Sequence, residues 1–402
     1  MTPAAGAAPA REDESGLTQP PRAPGPCAGA WRRRDPQALQ APLALLALIA
    51  LPACDPFNTG FDAVERAALY RNAAVAAGPA PAGRIKVMTW NVKYAGARLR
   101  FFWECNGTRT LMSAAEVNAN LDALAERIRR YDPDLVLLQE VDTGRSKRAA
   151  YVDQVEGLLR RTGLGWAAYA SQWKADYVPS DGIGPVDSGN AVLSRWPISA
   201  ATRHALALKT ESSALERYFY LHRNALEVRV AVPELGELAL VNVHAEAFSN
   251  DGTKRKHLER FKAILDGLSA AGLRVIAGGD LNAIPPGSPL RERFPEDEGC
   301  TDGRFEPDQY LGEESWLDAL YAAYQPEVTP AAFAADPGPW FTFVGDEHFP
   351  LNRKLDHLFT NGQWVPGTAQ ALQDQGTLPE GQSPAWLLSD HVPVVAEYEV
   401  TP

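Results

Sequence analysis

Short apolar segments recur along this chain, and polar side chains stand at or near their ends. Apolar runs of roughly four to eight residues, rich in β-branched and aliphatic side chains, predict buried β-strands. Because the ends of strands lie along the rims of a sheet, we expect the polar residues beside these runs to meet on one rim. Those residues are Asn91, Glu140, His244, Asp280, Asn282, Asp356, Asp390 and His391.

Helical patterns alternate with the predicted strands. Ser113 followed by Glu116 has the form of a capping box, and an apolar stripe with helical spacing follows it. A second helix is predicted over residues 254–270, and Gly272 is placed to stop it. Further strands are predicted at residues 191–194, 224–230 and 394–399. The mixture of hairpins and helical crossovers predicts mixed sheets with helices on the outside.

Two stretches on the predicted rim are long enough to be functional loops. Residues 98–110 combine arginines with aromatic side chains, and residues 171–188 contain Trp173 and Tyr177. The first stretch, with Arg98 and Arg100, has three open interpretations. In the first, its arginines bind a phosphate and its aromatic side chains stack on a base. In the second, the stretch lies on a lipid surface. In the third, its aromatic side chains pack on the domain.

The N-terminal residues 1–53 predict export rather than fold. Residues 1–30 are rich in Ala, Pro and Gly, and an arginine cluster then precedes an apolar run at residues 41–51. The Leu-Pro-Ala-Cys sequence ending at Cys54 resembles a lipobox, which predicts a lipid-anchored protein in the periplasm or on the cell surface. The alternative is an ordinary signal peptide and a secreted, soluble protein. Residues 54–84 are then expected to form a flexible tether.

Composition narrows the function classes. Apolar residues make up 45% of the chain and charged residues 22%, which is typical of a globular protein. The net charge of −11 disfavours general binding to long polyanions, although a local basic patch can override it. No Cys/His cluster has zinc spacing, and no nucleophile elbow is present.

Four cysteines are present in the chain. Cys27 lies in the predicted export segment and Cys54 is the predicted lipidation residue, so Cys105 and Cys300 are the two left in the mature domain. Cys105 and Cys300 fall in predicted loops that follow site-bearing strands. In an oxidising compartment we expect them to form a disulfide, and the alternative is two unpaired thiols.

The order of the polar motifs resembles the endonuclease/exonuclease/phosphatase superfamily, which has the DNase I-like fold. The resemblance covers residues 85–400 and rests on six motifs in the family's order, including Gly-Asp-Leu-Asn at Asp280 and Ser-Asp-His at His391. It implies an α/β (α+β) fold of two packed mixed β-sheets flanked by helices, in a four-layer α/β/β/α sandwich.

Carboxylate oxygens suit Mg²⁺, so Glu140 is the expected main metal ligand, unless it is a surface acid at a strand end. The resemblance implies that Asn91 and Asp390 assist metal binding. Mn²⁺ is an alternative ion. Asp280 is the candidate for orienting and deprotonating the attacking water, and Asn282 for contacting phosphate. The alternative for these two is a turn that bonds its own backbone.

The resemblance also implies roles for two histidines. His391 is expected to contact the scissile phosphate while Asp356 fixes its tautomer and raises its pKa. His244 matches a position that protonates the leaving group or binds phosphate, with a structural core histidine as the alternative. Asn190 lies in a motif similar to the family's central strand and is expected to face the site, whereas Asp187 is the nearest acid for supporting His244.

These expectations define a Mg²⁺-dependent phosphoesterase, monomeric and acting by direct attack of water on phosphorus. Its substrate class stays open between nucleic acid and phospholipid headgroups or small phosphates. The alternative from another class is a catalytically idle binding or adhesion lipoprotein on the same fold.

Overall fold

Fourteen strands form two seven-stranded mixed sheets in the part of the chain that the structure describes. The structure is a computed structural model, and it describes residues 55–247, 250–303, 305, 307–345, 348, 350–374, 378 and 382–400. The predicted export segment at residues 1–53 and the lipidation candidate Cys54 lie outside these residues. Within the described ranges, no helix has both the length and the apolar character that crossing a bilayer requires.

The first sheet has the strand order β1-β7-β8-β9-β10-β12-β11, and only β9 and β10 pair in parallel. Its strands are β1 (Val64–Arg66), β7 (Ile198–Ala205), β8 (Asn224–Val232), β9 (Gly236–His244), β10 (Arg274–Asp280), β11 (Gln325–Pro326) and β12 (Asp356–Thr360).

The second sheet has the order β13-β14-β3-β4-β6-β5-β2, with β3 and β4 in parallel. Its strands are β2 (Ala68–Arg71), β3 (Arg84–Asn91), β4 (Leu135–Asp142), β5 (Trp166–Val178), β6 (Gly184–Ser194), β13 (Gln370–Ala371) and β14 (Val394–Glu399).

Helices cover the outer face of each sheet. The longer ones are α1 (Ala114–Tyr131), α2 (Gln154–Thr162) and α4 (Thr253–Ala270). The short ones are α3 (Ala214–Phe219), α5 (Pro295–Glu298), α6 (Asp318–Ala323), α7 (Pro330–Ala335) and α8 (Ala385–Leu388), with 3₁₀ turns at Lys93–Ala95, Lys147–Ala149 and Gly338–Trp340.

Alternation along the strands builds three apolar layers. In β3, Met88 and Trp90 pack beneath α1, whereas Ile85 and Val87 face the other sheet. On the far side of the first sheet, Val241 packs with residues of α4. The successive layers are helix, sheet, sheet and helix, as the family resemblance implied, and the central strands β3, β4, β9 and β10 are therefore buried on both faces.

Helix boundaries follow their local signals. Ser113 accepts a hydrogen bond from the Glu116 backbone N–H, and the Glu116 side chain bonds back, so the predicted capping box is present. The helix predicted at residues 254–270 runs over Thr253–Ala270, and Gly272 follows it with a φ of 78°.

Two expectations change in the structure. The segment expected to be a flexible tether, residues 54–84, contributes β1 and β2, which pair with β7 and β5. The stretch at residues 171–188, expected to be a long loop, is largely a β-hairpin, because β5 continues to Val178 and β6 begins at Gly184. Bulges interrupt this pairing, so its alternation is too irregular to be recognised in the sequence.

Candidate active site

Strand register brings three of the predicted residues side by side. Asp280 ends β10, where it lies opposite His244 of β9 on one side and Asp356 of β12 on the other. All three are buried. The rim inferred from strand ends therefore exists, and its centre is Asp280.

His391 joins this row from the second sheet. Its Nδ1 lies 2.7 Å from Asp356 Oδ2, and its Nε2 lies 3.6 Å from Asp280 Oδ2. Burial opposes the imidazolium charge, but the two carboxylates outweigh burial and raise the pKa of His391 to about 10. His391 is therefore a cation at neutral pH.

Asp280 is the most connected carboxylate of the site. Its Oδ2 accepts a hydrogen bond from Asn91 Nδ2 at 3.0 Å, and its Oδ1 accepts one from the Asn282 backbone N–H at 2.9 Å. Burial raises its pKa to about 7, against the lowering effect of His391. A carboxylate with that pKa can hold or release a proton near neutrality, as a general base requires.

His244 has the opposite character to His391. Its Nδ1 lies 3.4 Å from Gln172 Nε2, and its Nε2 lies 3.4 Å from Asp280 Oδ2. Burial, followed by the charge of Arg223, lowers its pKa well below the ordinary value, so His244 is neutral. With Nδ1 accepting from Gln172, the ring carries its hydrogen on Nε2 and presents a donor to the site.

The acid considered as a support for His244 has another role. Asp187 accepts hydrogen bonds from Tyr169 and Ser171 within the second sheet. An amide, Gln172, holds His244 instead of a carboxylate. The Nδ1 of His391, in contrast, faces the Asp356 carboxylate, whose charge favours the protonated ring.

Glu140 reaches the site through a β-bulge. The pairing of β4 with β6 shifts register between Leu138 and Val141, and Glu140 has a φ of 57°. Bulges commonly redirect a side chain beside an active site. Gln139 and Val141 are fully buried, whereas the Glu140 side chain is 27% exposed, so the bulge turns Glu140 into the cleft.

Asn91 and Asp390, two further residues with oxygen atoms that can bind a metal, lie near Glu140. Asn91 Nδ2 donates to Glu140 Oε1 at 3.2 Å, and burial together with the charge of Asp390 raises the pKa of Glu140. Carboxylates that repel one another at one wall of a cleft are stabilised by a bound cation. Glu140 and Asp390 therefore fit a hard divalent ion such as Mg²⁺.

A tighter cluster lies next to this pair. Asp280, Asp356 and His391 offer donor atoms that all lie within 4.8 Å of one another. His391 is protonated, however, and its Nδ1 is committed to Asp356, whereas a metal-binding imidazole must be neutral. The residues that fit a cation best are thus Glu140 and Asp390, with Asn91 orienting Glu140.

Lys93 completes the charge balance on that side. Its Nζ lies 2.5 Å from Glu104 Oε1 and 3.5 Å from Asp390 Oδ2. Burial would raise the pKa of Asp390, but Lys93 and His391 more than compensate and lower it. Asp390 therefore stays ionised, as a metal ligand must.

Two residues expected to contact substrate make hydrogen bonds within the domain. Arg98 donates to the backbone carbonyls of Val344, Ser389 and Gly345, so its guanidinium fastens the loop at residues 98–110 to the domain. Asn190 is fully buried, and its amide donates to Asn224 between the sheets. Asn190 thus points between the sheets rather than into the cleft, whereas substrate contact by Arg98 stays a prediction.

The cleft above these residues has a volume of about 1460 Å³. Arg100, Trp103 and Trp173 are among the side chains that line it, so both stretches singled out in the sequence form its walls. A disulfide joins Cys105 to Cys300, with 5.9 Å between their Cα atoms, and fastens two walls of the cleft together.

Sequence reasoning missed residues that position the site. Arg148 binds Asp142 with two hydrogen bonds and lies 3.8 Å from the Tyr94 ring centroid in the cleft wall. Thr342 Oγ1 accepts hydrogen bonds from the backbone of Asp356 and its neighbour. Lys93 stands two residues after the motif residue Asn91, and this spacing could have identified it as a neighbour of the site. Arg148 and Gln172 belong to no motif, so no local pattern identifies them.

Residues 88–391 match the model of the endonuclease/exonuclease/phosphatase family, a match that covers more than half of the chain. The chain belongs to this family. No curated protein matches its sequence.

Several solved structures of family-like proteins are similar to this chain. An endonuclease/exonuclease/phosphatase from Beutenbergia cavernae has 20% identity and a TM-score of 0.48, covering 79% of this chain and 72% of that one. The human Nocturnin catalytic domain with bound sulfate has 15% identity and a TM-score of 0.48, covering 83% and 97%. A mannosyl-6-phosphatase from Bacteroides thetaiotaomicron has 13% identity and a TM-score of 0.47, covering 79% and 100%.

Proposed function

We propose that this family member is a Mg²⁺-dependent phosphoesterase that hydrolyses phosphodiester or phosphomonoester bonds by direct attack of water. The observation that carries the proposal is the buried row of Asp356, His391 and Asp280, joined at 2.7 Å and 3.6 Å. This row places the cationic His391 beside the Asp280 carboxylate, which titrates near neutrality. The cation can stabilise negative charge on the phosphate, and the carboxylate can accept a proton from water.

Each residue of the row has an assigned role. Asp280 orients the attacking water and accepts its proton at a carboxylate oxygen. His391, held by Asp356 in one tautomer, donates from Nε2 to an oxygen of the scissile phosphate. His244 is neutral, so its Nε2 donates a hydrogen bond rather than a proton to the leaving oxygen, and Gln172 holds the ring in that orientation. The departing oxygen takes its proton from water. Asn282 supports Asp280 through its backbone N–H.

Glu140 and Asp390 would hold the metal, and Asn91 would orient Glu140. When bound, Mg²⁺ neutralises phosphate charge and polarises the phosphoryl oxygens. Mn²⁺ satisfies the same oxygen donors and is expected to substitute.

Turnover of bis(p-nitrophenyl) phosphate and p-nitrophenyl phosphate tests this function, measured with Mg²⁺, with Mn²⁺ and with EDTA. Asp280→Asn and Glu140→Gln should abolish a metal-dependent activity, whereas Glu116→Gln, a surface acid on α1, should retain it. The ratio of diester to monoester turnover separates nuclease-like from phosphatase-like substrates. Metal-independent turnover, or full activity in Asp280→Asn, contradicts the proposal.

A catalytically idle binding protein on the same fold is the competing proposal. It predicts no turnover on either substrate and no heat of Mg²⁺ binding in calorimetry. The presence of every predicted motif residue favours the enzyme, because a binding role does not require a buried, charged histidine.

We further propose that the protein is exported, anchored through Cys54 and monomeric. The sequence of residues 32–54 supports export, and a disulfide between Cys105 and Cys300 suits an oxidising compartment. Metabolic labelling with a tritiated fatty acid tests the anchor, since Cys54→Ser should lose the label. An unlabelled wild type, released into the medium, supports the soluble alternative.

A further inference from the structure

Arg223 is a buried arginine in the cleft wall to which the reaction as described gives no role. It immediately precedes β8, and it lines the cleft together with His244 and Gln172. Only 6% of Arg223 is exposed, so its guanidinium has largely lost contact with solvent. An arginine in that position normally has its N–H groups fully paired with protein acceptors.

The pairing of Arg223 is incomplete. Its Nε lies 3.4 Å from Glu246 Oε2, a distance that gives charge attraction but a poor hydrogen bond. Among the residues that the structure describes, neither Nε nor Nη1 has a hydrogen-bond acceptor. A buried donor of a charged group that lacks an acceptor is costly, and an anionic ligand removes that cost.

An unsatisfied acceptor lies in the same wall. Gln172 Oε1 is buried and has no donor among the described residues, although the same amide contacts His244 at 3.4 Å. Arg223 is close enough to His244 for its charge to lower the pKa of that ring. The Arg223 nitrogens that lack an acceptor and the Gln172 oxygen that lacks a donor therefore both lie near His244, the residue assigned to the leaving oxygen.

Other basic side chains of the cleft are already paired. Arg148 is held by Asp142, and Arg353 donates to Glu296 at 2.6 Å. Lys209 lies 3.0 Å from Glu211. Arg353 also has no acceptor for its Nε and Nη1, but three carboxylates balance its charge, because Asp308 and Asp297 lie 3.3 Å and 3.8 Å away in addition to Glu296. Arg223 differs because, among the described residues, Glu246 at 3.4 Å is the one carboxylate within ion-pair distance of it.

We propose that Arg223 binds a second anionic group of the substrate, on the leaving-group side of the scissile phosphate. The proposal rests on the phosphoesterase function and refines it, since it makes the preferred substrate one that carries two anionic groups. A guanidinium can bind two oxygens of one phosphate or carboxylate group at once. Gln172 Oε1 then accepts from a hydroxyl of the same molecule.

Non-hydrolysable phosphonates test this site without turnover. Methylphosphonate carries one anionic group, and ethane-1,2-, propane-1,3- and butane-1,4-bisphosphonate carry two at increasing separation. Their binding to the purified protein is measured by calorimetry in Mg²⁺ buffer. We expect at least one bisphosphonate to bind roughly tenfold or more tightly than methylphosphonate.

The variants assign any preference to Arg223. Arg223→Gln should remove the bisphosphonate preference and leave methylphosphonate binding within about twofold. Arg223→Gln leaves the buried Glu246 carboxylate without its counter-ion, which can prevent folding. The double variant Arg223→Gln/Glu246→Gln removes both charges and replaces the single variant in the experiment if that variant does not fold. Arg255→Gln is the matched control, because Arg255 also lines the cleft but is 63% exposed and pairs with Glu259.

The outcomes separate this inference from the enzymatic function. Equal binding of all four phosphonates by the wild type, or an unchanged preference in both Arg223 variants, overturns the inference even if hydrolysis is observed. A preference that depends on Arg223 but not on Arg255 supports it, and does so even if p-nitrophenyl esters are not hydrolysed.

Discussion

His391 Nδ1 and Asp356 Oδ2 lie 2.7 Å apart, although the residues are 35 positions apart in sequence. Asp356 begins β12 of the first sheet, and His391 precedes β14 of the second. Asp356 is fully buried, and its other carboxylate oxygen has no hydrogen-bond partner among the described residues. The carboxylate charge is thus directed at one imidazole. It fixes the proton on Nδ1 and stabilises the cation that faces Asp280.

Asp356→Asn should lower kcat/KM by roughly 10²-fold or more, because the histidine loses both its fixed orientation and the charge that stabilises its cation. The activity assay measures the loss, and thermal unfolding checks the fold. Asp374→Asn is the matched control, since Asp374 is also buried and pairs with Arg127 away from the cleft. Equal losses of activity in the two variants would show that Asp356 acts only through folding.

Glu140→Gln should weaken Mg²⁺ binding at least about tenfold, because the variant loses the charged ligand of the proposed site. The shift of the melting temperature with Mg²⁺ concentration measures binding independently of turnover. Glu104→Gln is the control, since Glu104 lies nearby but pairs with Lys93. An identical Mg²⁺ response in Glu140→Gln and the wild type would exclude Glu140 as a ligand.

Breaking the disulfide should destabilise the domain by roughly 2–5 kcal/mol, since the bond closes a long loop in the unfolded chain. Cys105 and Cys300 are 195 residues apart. The double variant Cys105→Ser/Cys300→Ser, made in residues 55–402, is compared with the wild type by urea unfolding. Dithiothreitol should lower the stability of the wild type to that of the variant and leave the variant unchanged.

Gly279→Ala should destabilise the domain by roughly 2 kcal/mol or more. Gly279 has a φ of 131°, and a Cβ there would lie 1.9 Å from the Val243 carbonyl oxygen. The two glycines before Asp280 thus serve the close approach of strands rather than of substrate. Gly267→Ala, in open space on α4, should instead stabilise the domain by roughly 0.5–1 kcal/mol. Urea unfolding measures both changes.

Asp297→Asn should change how stability depends on pH. Burial, and then the charge of Asp308, raises the pKa of Asp297 to about 6, above the ordinary value of 3.8. The folded protein holds this proton more tightly, so the wild type should gain stability relative to Asp297→Asn as the pH falls from about 7 to about 4. Urea unfolding at several pH values measures the difference.

Glu116→Gln provides the opposite case. The Ser113 backbone hydrogen bond, followed by Arg109, lowers the pKa of Glu116 to about 2 from 4.5. Its contribution to stability is present above about pH 4.5 and disappears as the pH falls towards about 2. The difference between wild type and Glu116→Gln should therefore stay constant between about pH 7 and about pH 5. For each variant, the difference in unfolding free energy from the wild type is plotted against pH. If these two plots had the same slope, the pKa assignments of Asp297 and Glu116 would both be contradicted.

The sequence was sufficient for the parts of the fold that local chemistry controls. The capping box at Ser113 and the strand Val394–Glu399 carry their own signals, because capping and alternation act over a few residues. The edge strand Val64–Arg66 has no such signal. It exists because β7 offers it a hydrogen-bonding edge.

The candidate site divides in the same way. The sequence by itself determined which chemical groups the rim holds, because Asp280, Asp356 and His391 stand at or near the ends of strand-like runs in an order that the family shares. Only the tertiary structure decided their protonation and pairing, because pKa values depend on burial and on charges brought from distant segments. Arg223 beside His244, and Arg98 bonded to the carbonyls of Val344 and Ser389, are contacts between such segments, and no local pattern specifies them.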